Sequence, residues 1–131
     1  MKNKDYIPQN THDIEAVEHL KYLSFESVRD DIPVLLEWLQ DGHWEVAERI
    51  AEYLLPHVNK ITLELLFILD TDDGMWKYFV ICGLIARSKE KLAPDLIKAL
   101  RRIAENPSKI DAEDGVDEVA KDVIANKFLC G

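Results

Sequence analysis

Asp41-Gly42-His43-Trp44, running on into Glu45-Val46-Ala47, and Asp73-Gly74-Met75-Trp76, running on into Lys77-Tyr78-Phe79, are two versions of one phrase. Each sits between two apolar runs with helical spacing. Such a phrase marks the joint where a first helix turns into a second: Asp caps the new helix, Gly permits the turn, and the aromatic fills the space between neighbouring pairs. The two tryptophans, Trp44 and Trp76, lie 32 residues apart. A weaker third copy, Asp114-Gly115-Val116-Asp117 before Glu118-Val119-Ala120, has Asp where the others have Trp. Helical-pair repeats commonly have periods of about 33 to 47 residues. A stack of such pairs presents a surface more often than an active site.

The runs on either side support this reading. Thr11 or Asn10 is placed to cap a helix through Leu23, with Ile14, Val17 and Leu20 on one face. Asp31 before Pro33 opens a second helix containing Leu35-Leu36-Glu37-Trp38-Leu39, which Gly42 stops. From Asp41 a third helix carries Trp44, Ala47, Ile50, Ala51, Leu54 and Leu55 inward and ends at Pro56. Asn59 to Leu69 forms a fourth, with Ile61, Leu65, Leu66 and Leu69 inward, and Asp70-Thr71-Asp72-Asp73-Gly74 breaks it. Met75 to Arg87 is apolar on every side, the pattern of a buried central helix. Pro94 begins another that reaches about Ala104, and a last one starts near Asp111 with Val116, Val119, Ala120, Val123 and Ile124 on one face. No Asn-Gly or Gly-Gly hairpin signal separates alternating runs, so strands are not expected. The expected fold is all-α: a short HEAT-like α-α superhelix of about seven helices in antiparallel pairs. Residues 1–10 read as a loose N-terminal leader and residues 11–131 as one helical repeat domain.

Composition narrows the partners. The 131 residues are 47% hydrophobic, and 25 acidic against 16 basic residues give a net charge of -9. That sign disfavours nucleic acid and anionic membranes as partners, and favours solubility or a basic protein partner. Cys82 lies in an apolar run and Cys130 is the penultimate residue, a spacing that suits neither a disulfide framework nor a metal site. No apolar stretch follows Met1-Lys2-Asn3-Lys4-Asp5, so no signal peptide is expected and the expected location is cytoplasmic, in a bacterial-type protein.

Chemistry-bearing patterns were weighed against packing. Asp70, Asp72, Asp73 and Gly74 resemble a calcium loop only superficially: Met75 and Ile81 stand where an EF-hand needs Gly and a bidentate Glu. His12, His19, His43 and His57 form no His-Glu-x-x-His motif. The chain has no Gly-x-Ser-x-Gly elbow and no glycine-rich phosphate loop, and Cys82 reads as buried and inert. The basic residues Lys77, Arg87, Lys89, Lys91, Lys98, Arg101 and Arg102 are interleaved with Glu90 and Asp95, as on a solvated helix face. Trp38, Trp44 and Trp76 read first as packing between helices and second as an exposed aromatic platform. No catalytic residue, metal ligand or cofactor is nominated.

Several stretches resemble a bacterial family called domain of unknown function five thousand and seventy-one. They are Asp13-Ile14-Glu15-Ala16-Val17-Glu18-His19-Leu20, Leu35-Leu36-Glu37-Trp38-Leu39-Gln40-Asp41, Trp44 with Val46-Ala47, and Asp73 with Trp76-Lys77-Tyr78. The similarity spans residues 11–107 and departs from the family pattern at His43 and Glu45. The resemblance implies an all-α, HEAT-like fold and assigns no activity. The function expected is a non-catalytic protein-interaction module whose surface is a ridge of Asp41, His43, Trp44, Asp73, Trp76 and Lys77. Two alternatives stand beside it: an immunity or antitoxin-type protein masking a basic partner, and a small-ligand or enzymatic site on the same ridge.

Overall fold

In the computed structural model, residues 5–130 are described, with side chains described through Ala125, and every regular element among them is helical. The chain runs through α1 (Ile14–Leu20), α2 (Phe25–Val28), α3 (Ile32–Glu37), α4 (Glu45–Leu54), α5 (Thr62–Leu69), α6 (Gly74–Val80), α7 (Pro94–Glu105), α8 (Lys109–Glu113) and α9 (Val116–Cys130). Setting aside the single turns α2 and α8, seven helices remain among the described residues.

Most starts follow from caps that the sequence carries. Ser24 Oγ accepts from the Ser27 amide ahead of α2, and Asp73 Oδ1 accepts from the Trp76 amide ahead of α6. Pro33 and Pro94 occupy the first turns of α3 and α7, where a missing N–H costs nothing. Several boundaries differ from expectation. The cap of α1 is Asp13, whose carboxylate accepts from the Ala16 amide, rather than Thr11 or Asn10. Residues 55–61 form 3₁₀ turns before α5, because Pro56 cannot donate to the preceding helix. The helix expected from Met75 to Arg87 is α-helical only to Val80; Ile81–Ile85 widen into a π-helical turn, with the Ala86 amide donating to the Ile81 carbonyl at 2.8 Å. The helix expected near Asp111 is split, with Ser108 capping α8 and Gly115 (φ 75°) turning the chain into α9.

The core is one continuous cluster drawn from every helix except α8. Leu20, Val28, Ile32, Leu35, Leu36, Ile50, Leu54, Ile61, Leu65, Leu84, Leu96, Leu100 and Val116 are among its buried members. Helix α1 packs on α4, and the two are tied further by Arg49 Nη1–Glu18 Oε2 (2.8 Å) and by the Tyr53 hydroxyl donating to the Leu23 carbonyl (2.8 Å). Helix α6 meets the 3₁₀ turn Trp38–Gln40 on one side and α9 on the other. The most extensive pairing is α7 with α9, and α7 also meets α5. Asn59 braces the segment before α7: its amide donates to the Lys91 carbonyl (2.7 Å) and its carbonyl accepts from the Ala93 amide (3.0 Å). Part of the stretch read as a loose leader is packed. Tyr6 and Ile7 lie against the core, Pro8 is buried, and the Tyr6 hydroxyl donates to Asp31. Residues 1–4 of that leader lie outside the described residues.

Candidate functional site

The repeated phrase adopts two conformations. Gly74, Met75 and Trp76 are the first three residues of α6, capped by Asp73. In the earlier copy α4 does not begin until Glu45, Trp44 stands at its N-cap without a side-chain cap bond, and Asp41 caps no helix. Asp41 Oδ1 instead accepts from the His43 amide (2.9 Å) and lies 3.0 Å from His43 Nδ1. The expectation that Asp41 caps the third helix is therefore corrected: three residues of turn separate it from the first free amides.

The glycines of these two copies serve close approach rather than backbone freedom. A methyl group at Gly42 would fall within the Phe79 ring, and one at Gly74 would meet the Asp114 carboxylate. Each glycine thus seats a residue belonging to the next copy of the phrase, and among the described residues only Gly115 has the left-handed φ that glycine favours.

The six ridge residues enter separate environments. His43 is exposed, with its ring edge-on to Phe79 at 5.3 Å between centroids. Trp44 is half-buried and meets Trp38 edge-on at 5.9 Å. Asp73 is exposed at the start of α6. The Trp76 indole is half-buried, and its N–H donates to the Leu36 carbonyl at 2.9 Å, which locks the ring between α3 and α6. Lys77 is no surface residue: it is 3% exposed, and its Nζ lies 2.5 Å from Asp111 Oδ1 of α8, itself buried. An ion pair out of water requires close geometry to offset the desolvation of both charges, and here it ties α6 to α8. The pair borders a polar hollow of about 170 Å³ together with Asp70, Asp72, Arg102 and Asn106.

Trp76 leads to the feature that the sequence reading missed. Its ring lines an open apolar groove of about 400 Å³ with Pro33, Leu36 and Glu37 of α3 and Leu63, Glu64, Phe67 and Ile68 of α5. Leu63 is 80% exposed and Phe67 69%, one turn apart on the same face of α5. Both flank the concave floor of the groove. The signal was present in α5: its inward positions Leu65, Ile68 and Leu69 are filled, which leaves the i, i+4 pair Leu63 and Phe67 with nothing to cover. Val34 and Met75, also exposed, adjoin groove residues in sequence.

The remaining reactive groups are held by packing. Burial pushes the Cys82 thiol above its ordinary value, which disfavours the thiolate a nucleophile needs. His57 stacks on Phe25 at 4.7 Å and tilts against Tyr53, and burial, with nearby Lys60, lowers its basicity. Among the described residues no three His, Cys, Asp or Glu side chains gather as a metal site would require. Nor is any helix among them long and apolar enough to cross a membrane.

A family model described as Domain of unknown function (DUF5071) matches residues 6–124, wider at both ends than the 11–107 resemblance and including the packed Tyr6 and most of α9. No curated protein matches the chain.

Proposed function

The chain belongs to the DUF5071 family, and from that premise we propose that it is a protein-interaction module whose docking surface is the groove between α3 and α5, floored by Trp76. The observation that carries this reading is the exposure of Leu63 and Phe67 beside a concave apolar floor. Aromatic anchors in such positions supply a large share of binding energy at interfaces. The pairings of α1 with α4, α5 with α6 and α7 with α9 fit a HEAT-like stack, an architecture that holds partners along an extended face. Trp76 thus keeps the role in partner binding that the sequence suggested, while Lys77 is withdrawn from it by burial. The carboxylates Glu37 and Glu64 at the groove suit a partner that presents positive charge.

Photo-crosslinking tests this reading. A benzophenone side chain at position 63, expressed in the cells the protein comes from, should give a discrete adduct with another protein. The same group at position 22, where Tyr22 is also exposed but outside the groove lining, should not give that adduct. Identical adduct patterns at both positions, or none at 63, would count against a docking role for the groove.

A further inference from the structure

We infer that the occupant of this groove is an amphipathic helix that carries basic residues beside its apolar anchors; the inference rests on the docking role proposed above. Three features of the groove select that occupant.

The first is its lining. Walls from α3 and α5 have their backbone groups engaged within helices, so they offer no free strand edge on which an extended peptide could pair. The floor's polar donor, the Trp76 indole N–H, is already given to the Leu36 carbonyl. An extended ligand would find no strand to pair with along these walls. A helix satisfies its own backbone and presents side chains alone.

The second is volume. A dry cavity of about 150 Å³ accommodates a benzene-sized group, so two or three apolar side chains fill a groove of this size. Positions i, i+4 and i+7 of one helix face supply such a set.

The third is charge. Glu37 and Glu64 stand at the groove, one from each wall, and neither has an ion-pair partner among the described residues. Lys or Arg beside the apolar anchors would meet them. The same carboxylates oppose a second copy as occupant. A two-fold contact through this groove would bring the two acidic pairs together, between two chains each of net charge -9.

The test is fluorescence-polarisation titration of the full chain with three labelled peptides of about 18 residues, long enough to hold a helix. One has leucines at i, i+4, i+7 with lysines beside them, the second has glutamates in place of the lysines, and the third has the basic composition with its leucines scrambled off one face. The basic amphipathic peptide should bind, and raising the salt should weaken it. The acidic analogue should bind at least about tenfold more weakly. Phe67→Ala should abolish binding of the basic peptide, and because Phe67 is exposed the variant should keep the parent's circular dichroism spectrum and melting temperature. Glu37→Lys with Glu64→Lys should reverse the preference toward the acidic peptide. Equal or tighter Phe67-dependent binding of the acidic peptide overturns the basic partner and leaves the groove's docking role standing. Binding that ignores leucine placement overturns the helix. Absence of any Phe67-dependent binding overturns the inference, and the position-63 adduct then decides separately whether the groove docks a protein of another shape. A concentration-dependent dimer lost in Phe67→Asp makes a second copy the occupant.

Discussion

At the scale of single residues, identical letters have unequal duties. Asp73 caps α6 and Asp41 caps nothing, although both open the same phrase. Asp73→Ala should therefore lower stability by about 1 kcal/mol, the usual worth of a side-chain N-cap. Asp41→Ala should stay within about 0.5 kcal/mol of the parent in the same urea titration. His57 gives a prediction in pH. Burial holds its folded-state basicity below the ordinary value of 6.5, so the unfolded chain binds the proton more readily. The contribution of neutral His57 is fully present above pH 6.5, declines as pH falls through that value toward the lowered folded one, and is lost below both. Its Nδ1 is buried without a hydrogen-bond partner, so an aromatic replacement forfeits no bond there. His57→Phe should flatten the loss of stability that sets in as pH falls below 6.5, read from urea midpoints along a pH series. An unchanged slope would place the acid sensitivity in other groups. None of this could be read from the letters alone, because both histidine environment and capping depend on where neighbouring turns place their atoms.

At the scale of elements, the sequence was legible wherever a local rule decides. Helix spacing located the inward faces, and Pro33, Asp73 and Pro94 marked starts that the structure keeps. It was less legible where two distant segments negotiate. Lys77 follows an exposed cap in sequence and read as surface, yet its partner Asp111 lies on α8, far along the chain. The start of a last helix near Asp111 was misplaced for the same reason: that carboxylate is drawn inward by Lys77, and Gly115 rather than Asp111 leads into α9. This clamp between α6 and α8 should show the asymmetry of buried ion pairs. Lys77→Met should cost about 3 to 5 kcal/mol by leaving Asp111 without its counter-charge. Adding Asp111→Leu should recover most of that loss, since an apolar pair of similar volume needs no desolvation. A double variant as unstable as the single one would mean that Asp111 does something the ion pair does not explain. The groove escaped for a different reason. Periodicity named the inward positions of α5 and left Leu63 and Phe67 off that face, but it does not say whether such a remainder gathers beside a concave floor built by a distant helix.

At the scale of the whole molecule, stability is shared through neighbouring contacts, with α7 and α9 the most extensive pair. A chain ending at residue 108 would leave the α7 face around Leu100 and Ile103 without the cover of Val116, Ala120 and Val123. Such a truncation should bind a hydrophobic dye and aggregate on warming, and a monomeric product that unfolds cooperatively would show that α9 is dispensable. The all-helical class was legible because it needs only periodicity and caps; the packing order was not, because it depends on which faces meet. The paired seats at Gly42 and Gly74 extend beyond packing. Phe79 enters the joint before its own, and Asp114 does likewise one joint later, so consecutive units are keyed head to tail. A lineage could lengthen this protein by tandem duplication only if each new unit brought both a keyhole glycine and a key for the unit before it. A larger residue at either glycine would force its key, Phe79 or Asp114, out of the seat and loosen the joint between those two units.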